Sequence, residues 1–235
     1  MNRLEAFPDP ETMAATVADR LAGRLREALE RDGQALIALS GGRTPEPVYR
    51  RLGAAKLDWS GVTVTLADER FVPPDDPASN AGLLTRSLFS GAAAKAQFVP
   101  LWTEGGGPGE AAGRADEALK TMTRPHDVMV LGMGDDGHTA SLFPGCPELS
   151  TGLDAGCERR CIAIAPHDPA PSQARLTMTL AELLRSRLIL ILIQGAGKRQ
   201  VLEAALSAGD ITDMPIRAIL RQTRVPVQIA WAPEI

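Results

Sequence analysis

Short apolar runs bounded by turn residues alternate along this chain with segments of helical periodicity, and this alternation most narrows the folds open to it. Runs that are apolar throughout are typical of strands buried on both faces of a parallel sheet. The longest helical segment, 11–31, is predicted to end at Gly33. The pattern therefore predicts an α/β fold: an open doubly wound, mostly parallel sheet with helices on both faces, in a Rossmann-like arrangement.

The predicted strands and helices are distributed along the whole chain. Seven strands are predicted, at 34–40, 62–67, 97–102, 127–132, 161–165, 187–195 and 227–231. Five helices are predicted, at 11–31, 45–53, 79–89, 108–122 and 197–207. The only flexible connection, 103–110, is too short to separate domains, so we expect a single α/β domain over residues 1–235. In such sheets ligands bind beyond the carboxyl ends of the strands, and the turns that follow the strands are where a site is expected.

Composition narrows the range of partners. The formal net charge is -4, with 25 Lys and Arg against 29 Asp and Glu. This leaves no basic excess for a nucleic acid or an acidic membrane, so we expect a small-molecule ligand and a monomer or small homo-oligomer. The three cysteines fit neither zinc knuckles nor a C-x-x-C redox site, which indicates reduced thiols in the cytoplasm. The first residues carry acids, so no secretory segment is expected, and no run reaches the ~18 apolar residues of a membrane span.

A glycine-rich turn follows the predicted strand at 127–132, in the sequence DVMVLGMGDDGHTASLFP. Its G-x-G-x-x-G spacing suggests a dinucleotide site, but the acid expected about 20 residues on, after the next strand, is missing. Asp135 and Asp136 would also place negative charge where a pyrophosphate must approach. No cofactor is therefore expected. What remains is a turn that presents Asp136 and His138 on either side of Gly137, suited to proton transfer from water, with the carboxylate fixing the tautomer. A structural hydrogen bond or helix cap is the alternative for His138.

The other two histidines are weaker candidates. His126 precedes its strand, which places it at the opposite end of the sheet, in a structural role. His167 follows a strand and is kept as a lesser candidate. The three histidines lie in separate turns without an i, i+4 pair, so no metal site is expected.

Other turns carry groups suited to an anion. SGGRTP, at 40–45, combines two glycines with the start of a helix, a phosphate-sized cradle; an ordinary capped turn is the alternative. Asp68, Glu69 and Arg70 follow the next strand, where Arg70 suits a phosphate and either acid a sugar hydroxyl or a base. Arg175 and Lys198 each look like surface charges alone, but together with the cradle they suggest a phosphorylated small molecule.

These residues resemble the 6-phosphogluconolactonases, soluble α/β enzymes of the oxidative pentose phosphate pathway. The resemblance spans nearly the whole chain, through SGGRTP, LADERFVPPDDPASN, VLGMGDDGHTASLFPG, ARLTMT and GAGK. It implies that His138 is the catalytic base and that Asp68 and Arg70 line the active site. It also implies a set of residues that hold the substrate, largely its phosphate: Gly41, Gly42, Arg43, Thr44, Arg175 and Lys198. Glu69 is expected to point away, because neighbouring residues of an extended chain face opposite sides.

The related glucosamine-6-phosphate deaminases share SGG-x-TP and DER and are the main alternative. That family carries an additional acid five residues after the turn histidine, where this chain has Phe143, so its ring-opening proton relay is not expected here. Lactone hydrolysis needs only one activated water, one stabilised oxyanion and one reprotonated alkoxide. The turn containing Gly134, Asp136 and Gly137 is predicted to supply the oxyanion donors. A covalent route through Ser141 or Cys146 lacks an evident partner, and a non-catalytic sugar-phosphate sensor remains a third alternative.

Overall fold

The computed structural model describes residues 3–168 and 170–234, which form one large and one small β-sheet with helices. The strands are β1 Arg3–Ala6, β2 Ala35–Leu39, β3 Val62–Leu66, β4 Asp68–Arg70, β5 Gln97–Val99, β6 Val128–Leu131, β7 Cys161–Ile164, β8 Arg175–Met178, β9 Ile189–Gln194 and β10 Val227–Ala232. The helices are α1 Pro10–Asp32, α2 Glu46–Gly53, α3 Asn80–Ser87, α4 Pro108–Lys120, α5 Leu149–Gly152, α6 Leu180–Leu183, α7 Ala196–Leu206 and α8 Ile216–Arg221. Two short 3-10 turns lie at Trp59–Gly61 and Gly91–Lys95.

The large sheet confirms the predicted α/β architecture. Its seven strands run in the order β1-β10-β9-β6-β2-β3-β5, and every neighbouring pair is parallel. From β2 the chain moves outward through β3 to β5, and from β6 it moves the other way through β9 to β10. Right-handed crossovers place the connections of the two halves on opposite faces. The strand order therefore reverses between β2 and β6, and a crevice is expected at their carboxyl ends.

Burial explains why the apolar runs form the central strands. All five residues of β2 and all four of β6 are buried, and only the last residue of β9 is partly exposed. Strands covered on both faces require this pattern, which an amphipathic strand would not satisfy. Helix α1 covers the sheet with a stripe of fully buried residues, Val17, Leu21 and Leu25, at helical spacing. Asp9 caps its first turn by accepting the N–H of Thr12 at 2.7 Å.

The small sheet differs from the predicted arrangement. It consists of β4, β8 and β7, all antiparallel, and it lies outside the large sheet. The predicted strand at 161–165 belongs here as β7, so its place in one alternating parallel sheet was wrong. An apolar run alone does not reveal its partner, because β7 is buried against α4 and β8 much as a central strand would be. Strands β1, β4 and β8 were not predicted, since each is short and carries charged residues.

The five predicted helices are all present as α1, α2, α3, α4 and α7, each with ends within two residues of the prediction. Among the described residues, no helix has both the length and the apolar character needed to cross a bilayer.

Asp116 of α4 ties this helix to the small sheet. Its carboxylate accepts the backbone N–H of Arg160 at 2.6 Å and of Cys161 at 3.3 Å, and it lies 2.7 Å from Lys120 Nζ. Burial raises the pKa of Asp116, but these three donors outweigh it and the pKa is lowered. The ionised form therefore stabilises the folded state.

We expect Asp116→Asn to lower the free energy of unfolding by about 1–3 kcal/mol at pH 7, because the oxygen that accepts both backbone N–H groups loses its charge, and the amide Nδ2 places a second donor against Lys120 Nζ where Oδ2 was an acceptor. Because the folded pKa lies below the unfolded value of about 3.9, the wild-type advantage is complete above that value and shrinks as pH falls below it. Urea unfolding of both proteins at pH 7 and pH 3.5 measures this. A difference that grows toward acid pH would contradict it.

Candidate active site

A cavity of about 300 Å³ lies at the carboxyl ends of β2, β3 and β6, where the strand order reverses. This volume suits a small ligand such as a sugar phosphate. The residues lining it come from turns far apart in the chain: Ser40, Gly41, Asp68, Arg70, Asn80, Gly132, Met133, Gly134, His138, Ala140, Ser141, Phe143, Arg175 and Lys198. The turns singled out from the sequence therefore converge, with the small sheet closing one side.

His138 and Asp136 form a hydrogen-bonded pair in the turn after β6. His138 Nδ1 lies 2.6 Å from Asp136 Oδ1, and the same oxygen accepts the backbone N–H of His138 at 3.0 Å. Burial raises the pKa of Asp136, but the hydrogen bond and charge of His138 outweigh it and the pKa is lowered. Because Asp136 is then an acceptor at neutral pH, the neutral imidazole carries its proton on Nδ1, and Nε2 is left as the basic nitrogen.

Two glycines allow the turn to hold this geometry. Gly137 has a φ of 78°, a conformation that residues with a Cβ rarely adopt. A Cβ on Gly134 would lie 2.1 Å from His138 Nδ1, so any larger residue would displace the imidazole. Two of the three glycines in the dinucleotide-like spacing thus serve the turn itself, Gly134 by leaving room for the imidazole and Gly137 by its left-handed φ.

The hydrogen bonds of the turn correct one prediction. Gly134 N–H donates to the carbonyl of His138 at 2.8 Å, and Gly137 N–H donates to the carbonyl of Gly134 at 3.2 Å. The N–H groups of Gly134 and Gly137 are therefore not free to hold an oxyanion. The carboxylate of Asp136 contacts the imidazole, the position expected from the sequence for a group that fixes the tautomer.

Phe143 contacts both the imidazole and an arginine. Its ring centroid is 4.2 Å from that of His138, at an interplanar angle of 39°. The guanidinium carbon of Arg175 is 5.9 Å from the same phenyl centroid. Phe143 is buried, so this ring limits the rotation of His138.

Two arginines sit side by side, and no carboxylate of the described residues lies within 4 Å of the guanidinium nitrogens of either one. Arg70 of β4 and Arg175 of β8 are paired in register across the small sheet. The Nε atoms of both are buried and have no hydrogen-bond partner within 3–168 and 170–234. Burial, and then the charge of Arg70, lower the pKa of Arg175. Such an arrangement is costly in an empty protein and becomes favourable when an anion binds between the two groups.

Asp68 faces the cavity, whereas Glu69 faces the other way, as predicted from strand alternation. Asp68 Oδ2 accepts the hydroxyl of Ser141 at 2.7 Å, and the Asp68 carbonyl accepts Asn80 Nδ2 at 2.8 Å. Glu69 is fully buried and accepts the N–H groups of Asn80 and Ala81, both at 2.7 Å, at the start of α3. Glu69 thus caps a helix, and Asp68 is the acid available to a ligand.

Lys198 lies in the first turn of α7 and lines the cavity. Its Nζ is 2.7 Å from Oδ1 of Asp135, an exposed side chain of the turn after β6. Of the SGGRTP turn, Ser40 and Gly41 line the cavity. Gly42, Arg43 and Thr44 lie outside its lining, and the side chain of Arg43 is exposed.

The remaining histidines lie apart from the cavity. His126 is buried before β6 with Nε2 2.9 Å from Glu182 Oε1, in the structural position predicted for it. His167 lies beyond β7 and does not contribute to the lining.

Several residues of the cavity wall were given no role from the sequence, among them Ser40, Asn80 and Ala140. The Ser40 hydroxyl is buried without a partner in the described part of the chain. Asn80 opens α3 and reads as ordinary helix-start chemistry. Ala140 has a positive φ of 49°, a strain that no residue pattern signals. Ser141 was considered only as a nucleophile, but its hydroxyl donates a hydrogen bond to Asp68.

The fold and the cavity together define a class of protein. A doubly wound α/β scaffold with a histidine, an acid and two adjacent arginines at its switch point is suited to bind a small anionic ligand. The profile of the family described as glucosamine-6-phosphate isomerases/6-phosphogluconolactonase matches residues 8–231. This chain belongs to that family.

Relatives with assigned names agree with this assignment. The chain is 48% identical over 231 residues to a 6-phosphogluconolactonase of Pseudomonas putida, covering 98% of this chain and 93% of the relative. It is 46% identical to a 6-phosphogluconolactonase of Caulobacter vibrioides, covering 98% and 97%. It resembles the crystal structure of a 6-phosphogluconolactonase from Shewanella baltica with a TM-score of 0.94 and 37% identity, covering 99% and 98%.

Proposed function

We propose that this protein hydrolyses 6-phospho-D-glucono-1,5-lactone to 6-phospho-D-gluconate, the lactone step of the oxidative pentose phosphate pathway. The whole chain acts as one α/β domain on a phosphorylated sugar lactone, without a cofactor, nucleic acid or membrane as partner. The observation that carries the proposal is the His138–Asp136 pair, with Nδ1 held 2.6 Å from the carboxylate, in a cavity that Arg70 and Arg175 also line. Hydrolysis of a phosphorylated lactone needs a base that activates water and a nearby site that binds the phosphate.

His138 acts as general base and then as general acid. Neutral Nε2 takes a proton from water, and the resulting hydroxide adds to the carbonyl carbon C1. The tetrahedral intermediate collapses, the bond between C1 and the ring oxygen breaks, and imidazolium Nε2–H gives its proton to that oxygen. One water is consumed, and the product acid then ionises in solution. Asp136 keeps the imidazole in the tautomer that both steps use.

The phosphate is held by the cations that line the cavity. Arg70 and Arg175 offer guanidinium groups, and Lys198 offers an ammonium at the start of α7. Gly41 brings backbone close to the cavity, and Gly42, Arg43 and Thr44 of the same turn complete the proposed cradle when substrate is bound. Binding of the phosphate holds the carbonyl carbon C1 near His138. This positioning lowers the activation barrier, so a strongly activated catalytic group is not needed. Asp68, held by Ser141, receives a sugar hydroxyl.

An assay of purified protein with two substrates tests this function. We expect faster acid release from 6-phosphoglucono-1,5-lactone than its spontaneous hydrolysis, and no ammonia from glucosamine 6-phosphate. Phe143 supports the choice, because a buried phenyl ring beside His138 cannot donate or accept the proton that deamination needs. Ammonia release would favour the deaminase alternative, and binding of 6-phosphogluconate without turnover of either substrate would favour a sensor.

We expect Asp136→Asn to lower kcat about 10- to 100-fold with little change in KM. An asparagine amide can donate to Nδ1, which moves the imidazole proton to Nε2 and removes the base; in a buried triad this change costs ~10⁴-fold. The side chain of Asp136 is 41% exposed, so water competes and the effect is smaller. Steady-state kinetics of Asp136→Asn and of Asp19→Asn, a control on the exposed face of α1, measure this. Equal kcat values for both variants would contradict the tautomer role.

A further inference from the structure

Arg217, on α8, is a buried cation outside the cavity. Its side chain is 7% exposed, and no carboxylate of the described residues lies within ion-pair distance of it. A buried guanidinium without a carboxylate is expensive unless its N–H groups are satisfied by other acceptors. Three backbone carbonyls accept hydrogen bonds from Nη1 and Nη2, whereas the buried Nε has no partner among the described residues.

These carbonyls fix the 207–215 loop, which joins α7 to α8. Arg217 Nη1 donates to the carbonyl of Asp210 at 2.8 Å, and Nη2 donates to those of Ala204 at 3.1 Å and Ala208 at 3.4 Å. Gly209 passes so close that a Cβ there would lie 2.4 Å from Nη1. The guanidinium therefore ties the end of α7 and the first part of the loop to α8, and its planar fork leaves little freedom for another arrangement.

The far end of the same loop touches the turn that holds His138. Ile216 N–H, the first donor of α8, gives its hydrogen bond to the carbonyl of Gly137 at 2.8 Å. The first N–H groups of a helix have no acceptor within the helix, and the turn after β6 supplies this one. The side chain of Met214 lies against Gly137, where a Cβ would be 2.8 Å from Met214 Cβ. Gly137 is the residue between Asp136 and His138.

We propose that Arg217 is a positioning residue for His138, acting through the 207–215 loop and the start of α8 on the carbonyl of Gly137. This inference rests on the proposed role of His138 as the base. Loss of the guanidinium frees the loop, and the Gly137 peptide then varies in orientation together with the imidazole. Arg70 and Arg175, the arginines proposed to hold the phosphate, lie on the small sheet and not on this loop. Their contribution to substrate binding is therefore expected to stay unchanged.

Kinetics of Arg217 variants give the first readout. We expect Arg217→Ala to lower kcat about 10- to 100-fold, the range expected when a reacting group is misplaced by about 1 Å, with KM changed less than about threefold. Arg217→Lys recovers part of the loss, because one ammonium can meet some of the three carbonyls. Arg221→Ala is the matched control: Arg221 donates to the Gly209 and Ser207 carbonyls of the same loop but is exposed. It retains the wild-type kcat.

Histidine nitrogen shifts give a second readout that does not depend on turnover. The chain has three histidines, so ¹⁵N-histidine spectra can be assigned with single variants. We expect the wild type to show the Nδ1–H tautomer at His138 and Arg217→Ala to show a mixture. A folded Arg217→Ala protein with wild-type kcat and an unchanged tautomer would overturn the proposal. Should the wild type fail to hydrolyse the lactone, the proposed function falls, while these spectra still decide the positioning role.

If Arg217→Ala does not fold, Met214→Ala is a second variant that can refute the proposal. Met214 is only partly buried, and its truncation removes Cγ and Cε, two of the three atoms nearest Gly137, while leaving the loop bonds intact. We expect a several-fold lower kcat and a shifted His138 signal. An unchanged kcat with an unchanged signal would overturn the proposal.

Discussion

Arg175→Ala is expected to raise KM for the phosphorylated lactone about 10- to 150-fold, with a smaller change in kcat. A hydrogen bond to a charged group contributes about 1.5–3 kcal/mol, and each 1.4 kcal/mol is a factor of ten. Arg175 meets the conditions for the upper part of this range, because its Nε is buried without a partner in the described chain. The adjacent Arg70 makes an anion at this point more favourable still.

The control for this prediction is the substrate without phosphate. Glucono-1,5-lactone presents the same ester but no anion, so wild type and Arg175→Ala should act on it with similar kcat/KM. Arg24→Ala, which removes an exposed arginine of α1, should leave both substrates unaffected. An equal loss on both lactones would mean that Arg175 serves the reacting centre or the fold and not the phosphate.

The central strands and their helices could be predicted because burial on both faces demands apolar runs. Strands β2, β6 and β9 are wholly or almost wholly buried, and apart from Gln194 they contain only apolar residues. The small sheet could not be predicted in this way. Strand β4 reads Asp-Glu-Arg and pairs with β8 through its backbone, so its side chains are free to be charged. Its existence depends on tertiary pairing, which has no local signature.

Much of the site could be predicted from one rule, which is that ligands bind beyond the carboxyl ends of parallel strands. The turns after β2, β3 and β6 and the start of α7 all reach the cavity, and they bring Asp68, His138 and Lys198 together. Arg175 reaches it from the start of β8 in the small sheet. Its place in the site was suggested by its combination with Lys198 and the glycine cradle and was implied by the resemblance to a family, since alone it is typical of a surface charge.

The failures of prediction concern hydrogen bonds inside tight turns. The N–H groups of Gly134 and Gly137 were assigned to an oxyanion, but the turn uses both for itself. Residue spacing shows that a turn is tight and does not show which of its donors are already taken. The role of Arg217 was invisible for a similar reason, because its partners are backbone carbonyls at 204, 208 and 210.

His138→Ala is expected to lower kcat/KM about 10²- to 10⁴-fold, the usual worth of a positioned general base and acid. The imidazole is partly exposed to the cavity, its Nδ1 is committed to Asp136, and its face is covered by Phe143, so Nε2 is the one ring nitrogen directed to a reaction. Residual activity comes from binding alone. His167→Ala provides a matched control, since this histidine lies outside the cavity lining.

The most direct test is the initial rate of loss of 6-phosphoglucono-1,5-lactone with wild type, His138→Ala and His167→Ala, after subtraction of spontaneous hydrolysis. We predict rapid loss with wild type and His167→Ala, and a rate close to the protein-free one with a folded His138→Ala. Wild-type rates in His138→Ala would contradict the assignment of this imidazole as the group that activates water.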